Sequence, residues 1–143
     1  MSIPQECKIL NIIVSLAPGG AERLLVEMVP RLNEKGVKVD IMLLDGTSYP
    51  FLNDLRMETN IRIITLGKHY IYNPILIFKI IPFLKNYSFV HVHLFPSLYW
   101  AALAKMISCS KTKLVYTEHS TTNRRRNHSI LKWVDRIIYR QYL

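Results

Sequence analysis

Two hydrophobic patterns alternate along the chain. Short apolar runs rich in Ile, Leu and Val, which are typical of strands buried on both faces of a parallel sheet, precede longer segments with the spacing of an amphipathic helix. The first pattern predicts five strands, at Ile9 to Leu16, Lys38 to Leu44, Ile61 to Leu66, Phe89 to Phe95 and Lys113 to Glu118. The second predicts helices at Ala21 to Lys35, Pro74 to Tyr87, Ser97 to Ile107 and Ile130 to Tyr142, with a short irregular or helical piece around Tyr49 to Arg56.

The alternation of strand and helix, with short links, predicts a right-handed, doubly wound parallel sheet of the α/β class, with the first strand near its centre. Gly36 agrees with this, because it follows the first predicted helix where a left-handed cap is common. A chain of 143 residues, half of them hydrophobic, has the size of a single domain, residues 1–143. In such sheets ligands bind beyond the carboxyl ends of the strands, so we expect the chemistry there.

Two glycines, Gly19 and Gly20, join the first strand to the first helix. Glycine accepts dihedrals that are closed to other residues, and it leaves main-chain N–H groups open to a ligand. Because the first N–H groups of a helix lack internal partners and carry the positive end of its dipole, this junction is suited to bind a phosphate. The alternative is that the glycines only turn a corner. Both readings stay open, since neither G-x-G-x-x-G nor G-x-x-x-x-G-K-[ST] is present.

Two histidines, His91 and His93, lie two positions apart on the fourth predicted strand, so they share one face, with His93 nearer the strand end. Two imidazoles on one face are able to bind a metal ion, but no third ligand has a convincing spacing. A buried histidine held by hydrogen bonds is the commoner case. We therefore expect no metal site, and we expect His91 to serve in packing.

A polar cluster, Glu118 to Thr122, follows the fifth predicted strand. An imidazole at His119 would be placed to polarise a leaving phosphate or to donate to a hydroxyl near neutral pH, and Glu118 would orient it or act as a base. The alternative is a loop whose hydroxyl side chains cap the next helix. Position alone leaves both readings open.

Charge narrows the class of partners. The 19 Lys and Arg exceed the 10 Asp and Glu, and the resulting formal net charge of +9 favours anionic partners such as phosphates, nucleic acid or acidic lipid headgroups. Cys7 and Cys109 lack metal or redox spacing, and no signal peptide is recognisable at the N-terminus. A cytoplasmic location is the expectation.

The most apolar stretch, Pro74 to Leu84, is well short of the roughly 20 residues needed to cross a bilayer, and Lys79 and Pro82 interrupt it. We interpret it as a helix that is capped by Asn73 and begins at Pro74. Pro82 is expected to kink or end this helix.

Three motifs occur in order along the chain: Asn11 to Leu16 followed by Pro18-Gly19-Gly20-Ala21-Glu22-Arg23, then Val90-His91-Val92-His93, then Tyr116-Thr117-Glu118-His119. Together they resemble the N-terminal domain of glycosyltransferase family 4, and the match runs over nearly the whole chain. The resemblance implies a retaining sugar transferase of GT-B fold, built from two Rossmann-like domains with the active cleft between them. This chain would be the first, acceptor-side domain.

The resemblance also implies roles for single residues. Gly19 and Gly20 are expected to contact the diphosphate of a nucleotide-sugar donor, and His119 is expected to lie beside the transferred sugar as the catalytic residue. His93 matches a strand-end position that borders the same cleft. Apart from the resemblance, the polar cluster and the basic run add Glu118, Ser120 and Arg124 as expected acceptor and cleft contacts. The donor is a substrate, and neither a cofactor nor a metal ion is expected.

The family's paired glutamates, with seven residues between them, belong to the second domain, and no two glutamates here have that spacing. In relatives, a helix like the one predicted at Ile130 to Tyr142 leads into another strand, which is missing here. We therefore expect a truncated or split product without the last strand and helix of the domain and without the C-terminal domain. Such a chain is predicted to be inactive by itself.

Much of the positive charge lies near the C-terminal end, at Arg124 to Arg126, Lys132, Arg136 and Arg140. We favour a solvated helix face for this segment. The other reading is a peripheral contact with the inner face of an anionic membrane, where each cationic side chain contributes on the order of 1 kcal/mol.

The alternative function is a non-catalytic Rossmann-like module that binds nucleotide, nucleic acid or anionic membrane through its basic surface. Nucleic acid is not an expected partner, because the sequence has no basic recognition helix with interleaved aromatics and no aromatic-studded strand pair.

Overall fold

A computed structural model describes residues 7–58, 60–119 and 129–143 of the chain. The strands are β1 (Lys8–Ile13), β2 (Lys38–Leu43), β3 (Ile63–Thr65), β4 (Phe89–His93) and β5 (Lys113–Thr117). The helices are α1 (Gly20–Glu34), α2 (Pro50–Arg56), α3 (Ile75–Leu84), α4 (Ser97–Ser108) and α5 (Ser129–Tyr139). Every predicted element is present, and the piece around Tyr49 is helical.

The strands form one sheet in the order β3-β2-β1-β4-β5, and all neighbouring pairs are parallel. β1 therefore lies at the centre, as predicted. This is the order of a doubly wound sheet, in which the chain first builds outward on one side of β1 and then crosses to the other side. The predicted α/β fold is confirmed.

Helices cover both faces of the sheet. Residues of α1 and α2, such as Leu25 and Leu52, form one core with one face of β1 and β2, whereas residues of α3 and α4, such as Ile80 and Ala101, form another core on the opposite face. Val90 and Val92 belong to the α3 and α4 core. Because side chains alternate along a strand, the intervening residues of β4 point to the α1 side.

Strand ends differ from the predictions by a few residues. β1 ends at Ile13 rather than Leu16, and β4 ends at His93 rather than Phe95. Leu16 is fully buried although it lies beyond the ladder, so its apolar character reports burial rather than strand pairing. Leu94 has a φ of 63°, a left-handed conformation that ends β4.

The proline-containing helix α3 also departs from its predicted bounds. The side chain of Asn73 accepts a hydrogen bond from the backbone N–H of Ile75 at 3.0 Å, which confirms its capping role. The helix starts one residue after Pro74 and runs past Pro82 to Leu84, so Pro82 lies in the last turn and does not end it. None of the helices in the described ranges is both long enough and apolar enough to cross a membrane.

The last helix packs beside α4. Asp135 of α5 is buried and accepts a hydrogen bond from the hydroxyl of Tyr99, and Ile138 joins a small core with Leu98. The chain then returns to the outer edge of β5, where the N–H of Leu143 donates to the carbonyl of Leu114 at 2.9 Å.

Candidate functional site

The predicted site residues meet at one edge of the sheet. Since all five strands are parallel, the loop with Gly19 and Gly20 after β1, His93 at the end of β4 and His119 after β5 all lie at the carboxyl edge. This is the edge at which doubly wound proteins bind their ligands. The topology therefore confirms that these three segments face the same side of the molecule.

A chain of hydrogen bonds through His93 links β1, β4 and the loop after β5. Its Nε2 lies 3.0 Å from the side-chain oxygen of Asn11 on β1, and its Nδ1 lies 3.1 Å from Nε2 of His119. The rings of His93 and His119 are stacked, with centroids 5.4 Å apart. His93 thus links the buried centre of the sheet to the candidate catalytic residue.

His91 stands beside this chain rather than in it. Its Nε2 is 2.7 Å from the hydroxyl of Thr117 on β5, and its ring centroid is 4.0 Å from that of His93. The two histidines share a face, as predicted, and each has its own partner on a neighbouring strand. Within the described ranges, no group of three His, Cys, Asp or Glu side chains is arranged to hold a metal ion.

Burial controls the charge of these rings. His93 is 2% exposed, and burial, reinforced by the nearby His91 and His119, lowers its pKa to about 3. Burial also lowers the pKa of His91, with a smaller effect from His119. Both rings are therefore neutral near pH 7, because a buried imidazolium loses its hydration without gaining an anionic partner.

This lowered pKa predicts a loss of stability in mild acid. In the unfolded chain His93 has an ordinary pKa of about 6.5, so below that pH the unfolded state binds a proton that the folded state does not. The contribution is fully present above pH 6.5 and declines as the pH falls toward about 3. Between pH 7 and pH 5 we expect His93 to lower the free energy of unfolding by about 2 kcal/mol, measured by urea denaturation.

The matched variant is His93→Gln, which cannot titrate. It should lose less stability than the wild type between these two pH values, whatever its stability at pH 7. Asp45 does not interfere, because its lowered pKa acts only below its ordinary value of 3.8. An equal loss in wild type and variant would show that His93 is not held neutral.

The backbone conformation at Gly19 and Gly20 is also open to residues that carry a side chain. Gly19 has a φ of −166°, which is extended backbone, and a Cβ on Gly20 would meet nothing within 4 Å. A Cβ on Gly19 would meet only the carboxylate end of Glu22, which is a flexible side chain. Neither Gly19 nor Gly20 therefore uses a conformation that is closed to other residues. Gly36, by contrast, has a φ of 83°.

This result argues against the alternative that the two glycines serve only to let the chain turn. Both are exposed, and Gly20 is the first residue of α1, whose early N–H groups have no partner within the helix. What glycine provides here is open access to the main chain at the positive end of a helix. That property suits an anionic ligand.

The remaining predicted contacts are only partly described. Glu118 is exposed and directly follows β5. Ser120 and Arg124 lie outside the described residues, as do Thr121, Thr122 and the other two arginines of the basic run.

Two features of this edge were missed from the sequence. The motif that contains Asn11 assigns it no role, although a single amide in an otherwise apolar strand indicates a buried polar contact. Asp45, at the end of β2, accepts hydrogen bonds from the hydroxyl and N–H of Thr47 and from the N–H of His69. Burial alone would raise the pKa of Asp45, but these bonds outweigh it and lower the pKa.

Two surface cavities lie at the edge of the sheet opposite the candidate site. Cavities of about 590 and 570 Å³ open at the amino edge of the sheet, where Lys113 and Lys8 begin their strands.

Comparison with known families gives one match. The model of Glycosyltransferase Family 4 matches residues 18–142, which is most of the chain. No protein of curated function shows a significant sequence match.

Solved structures show the same fold. HepE (Alr3699) of Anabaena, crystallised with UDP and glucose, is 18% identical, with a TM-score of 0.69 over 95% of this chain and 36% of its own. A glycosyltransferase from Rickettsia africae is 22% identical, with a TM-score of 0.66 over 94% of this chain and 39% of its own. The lipopolysaccharide outer core galactosyltransferase WaaB is 13% identical, with a TM-score of 0.62 over 90% of this chain and 37% of its own. The chain therefore spans little more than a third of each of these proteins.

Proposed function

The chain belongs to Glycosyltransferase Family 4, and we propose that it is the acceptor-side domain of a retaining enzyme that transfers a sugar from a nucleotide-sugar donor to a polysaccharide, glycan or lipid-linked acceptor. The observation that carries this proposal is the meeting of the glycine junction, His93 and His119 at the carboxyl edge of the sheet. These are the residues that the family motifs single out.

The donor diphosphate is proposed to bind at the start of α1. The N–H groups there are open because Gly19 and Gly20 carry no side chain, and the helix dipole favours a negative charge at this end. HepE has been solved with UDP-glucose, which supports a nucleotide sugar as the donor class. The helix end provides partial positive charge for a leaving diphosphate, and the proposal includes neither a metal ion nor a cofactor.

His119 is proposed as the catalytic residue beside the transferred sugar. It is half-buried and hydrogen-bonded to His93, so its ring is held at the cleft edge while part of it remains accessible. A donor held in this way acts best on charge that develops as the bond to the diphosphate breaks. Glu118, Ser120 and Arg124 remain the proposed contacts on the acceptor side, whereas His93 is buried and takes part through its hydrogen bond to His119.

The acceptor class and the location are proposed on other grounds. WaaB acts on the lipopolysaccharide outer core, which supports a role in building a cell-surface polysaccharide. A cytoplasmic location is proposed from the two unpaired cysteines, Cys7 and Cys109. The exposed face of α5 carries Lys132 and Arg136 beside Trp133, and the proposal keeps this as a solvated face.

Two glycine variants of the full-length enzyme test the donor site. Gly20→Ala should be no less stable than the wild type, since its Cβ meets nothing, yet it should lower kcat/KM for the nucleotide sugar on the order of tenfold. The reason is that the methyl group hinders a charge-assisted hydrogen bond worth about 1.5–3 kcal/mol. Initial rates with a panel of nucleotide sugars, and the anomeric configuration of the product by NMR, are the measurements.

Gly36→Ala is the matched control. Its φ of 83° is unfavourable for alanine, so this variant should lose about 1 kcal/mol of stability and keep its kcat/KM at equal folded fraction. A normal kcat/KM for Gly20→Ala would remove the donor contact from the proposal. Absence of transfer from every nucleotide sugar by the full-length protein, or inversion at the anomeric carbon, would refute the proposed reaction.

A further inference from the structure

We propose that Asn11 and His93 are positioning residues that fix which ring nitrogen of His119 carries its proton, and therefore which nitrogen is left to act on the substrate. This inference rests on the proposed function, because it concerns the residue assigned to the transfer step. It assigns roles to two side chains that do not themselves need to touch a substrate.

The geometry is a continuous chain across three neighbouring segments. Asn11 comes from the central strand β1, His93 from the end of β4, and His119 from the loop after β5, with the two joining contacts at 3.0 and 3.1 Å. Asn11 is 1% exposed and His93 is 2% exposed. Because water is excluded at this depth, each polar atom must use its protein partner.

The contact between Asn11 and His93 fixes the direction of both hydrogen bonds in the chain. The side-chain oxygen of Asn11 can only accept, so Nε2 of His93 must carry the hydrogen. A neutral imidazole carries one ring hydrogen, which leaves Nδ1 of His93 as an acceptor. Nε2 of His119 must therefore donate to it. The pKa of His93, which burial lowers to about 3, keeps this ring neutral throughout the physiological range.

His119 is consequently held with its proton on Nε2. Its Nδ1 is then the ring atom left for the substrate, and it donates a hydrogen bond there when it carries a second proton. That proton can be held without breaking the bond to His93. A reversed Asn11 amide would place a donor against His93 and reverse both bonds, so one buried amide decides the tautomer of two histidines. The orientation of this amide is thus a functional choice and not only a packing detail.

The groups around His93 support a fixed state. His91 lies on the same strand with its ring centroid 4.0 Å away, and its Nε2 is engaged by Thr117 of β5. His91 therefore competes neither for Asn11 nor for His119 in this arrangement. This makes Thr117 a matched position, since its side chain also holds a histidine but lies off the chain to His119.

The test is the tautomeric state of the histidines in the ¹⁵N-labelled 143-residue chain, read from long-range ¹H–¹⁵N correlation spectra at neutral pH. We expect both His93 and His119 to be predominantly protonated at Nε2. A predominant Nδ1-protonated form of His119, or an even mixture, would overturn the proposal. This result needs no variant and no activity.

Asn11→Leu should release the constraint. It removes the acceptor but keeps the branched shape and the number of side-chain heavy atoms, so His93 gains no advantage from either tautomer and His119 should shift to a mixture. Thr117→Val should leave the tautomer of His119 unchanged. A shift of equal size in both variants would show general loosening of the sheet rather than a directed chain.

The full-length enzyme provides the functional arm. Asn11→Leu should lower kcat about tenfold with little change in KM, whereas Thr117→Val should keep its kcat at equal folded fraction. If the tautomers behave as expected but His119→Ala turns over normally, the proposed function of His119 fails while the proton arrangement stands. If the tautomers differ from expectation while His119→Ala is impaired, the positioning role fails and the catalytic one remains.

Discussion

Replacing His119 with alanine in the full-length enzyme is expected to lower kcat about a hundredfold and to change acceptor affinity far less. A hydrogen bond that strengthens as charge develops on the leaving diphosphate or on the sugar acts mainly in the transition state. One such donor is typically worth about 3 kcal/mol, which corresponds to roughly a hundredfold in rate. The measurement is steady-state kinetics with saturating substrates, together with acceptor binding by calorimetry.

His91→Ala is the control for this prediction. His91 is bonded to Thr117 and lies against His93, so its loss should lower the free energy of unfolding first and the rate only as folded protein is lost. The comparison must be made at equal folded fraction. Near-normal turnover by His119→Ala would end its catalytic assignment and return the segment after β5 to a structural loop.

The 143-residue chain alone is expected to transfer no detectable sugar. The chain spans 36% of the length of HepE. The family resemblance implies that most nucleotide contacts belong to a second domain with paired glutamates. Loss of contacts worth more than about 4 kcal/mol in the transition state would slow transfer by more than roughly a thousandfold.

A radiolabelled nucleotide sugar and a mixture of acceptors provide the measurement, with the full-length enzyme as the positive control. Adding a separate polypeptide that carries a second domain of this kind should restore part of the activity if the two domains associate. Robust turnover by the 143-residue chain without any second half would contradict a bipartite site.

The fold could be predicted closely from the sequence because strands and helices each have their own hydrophobic period, which can be seen within a short stretch of the chain. Ile9 to Ile13 is nearly all branched and apolar, as a central strand with two buried faces requires, and α1 repeats its apolar residues at helical spacing. Alternation of the two then leaves few possible topologies, since crossovers between parallel strands are right-handed. The central position of β1 was predicted from these constraints, and the full order β3-β2-β1-β4-β5 comes from the structure.

Element ends were predicted less well because burial and strand pairing give the same apolar signal. Leu16 is as buried as any residue of β1, yet it lies in the loop. Likewise Pro82 was expected to disturb its helix, but the loss of one N–H in the last turn leaves few later bonds to break.

The fold class and the edge of the sheet at which chemistry is expected could be predicted from the sequence, because hydrophobic period and motif position are local properties. The sequence also identified His93, His119 and the two glycines as candidates. The contacts and hydrogen-bonding roles of these residues depend on the tertiary structure. Asn11 and His93 are 82 residues apart in the chain, and their contact exists because β4 crosses over to pair with β1. Hydrogen-bond direction and the neutrality of a buried ring depend on such distant partners and on exclusion of water, and neither is written in local sequence.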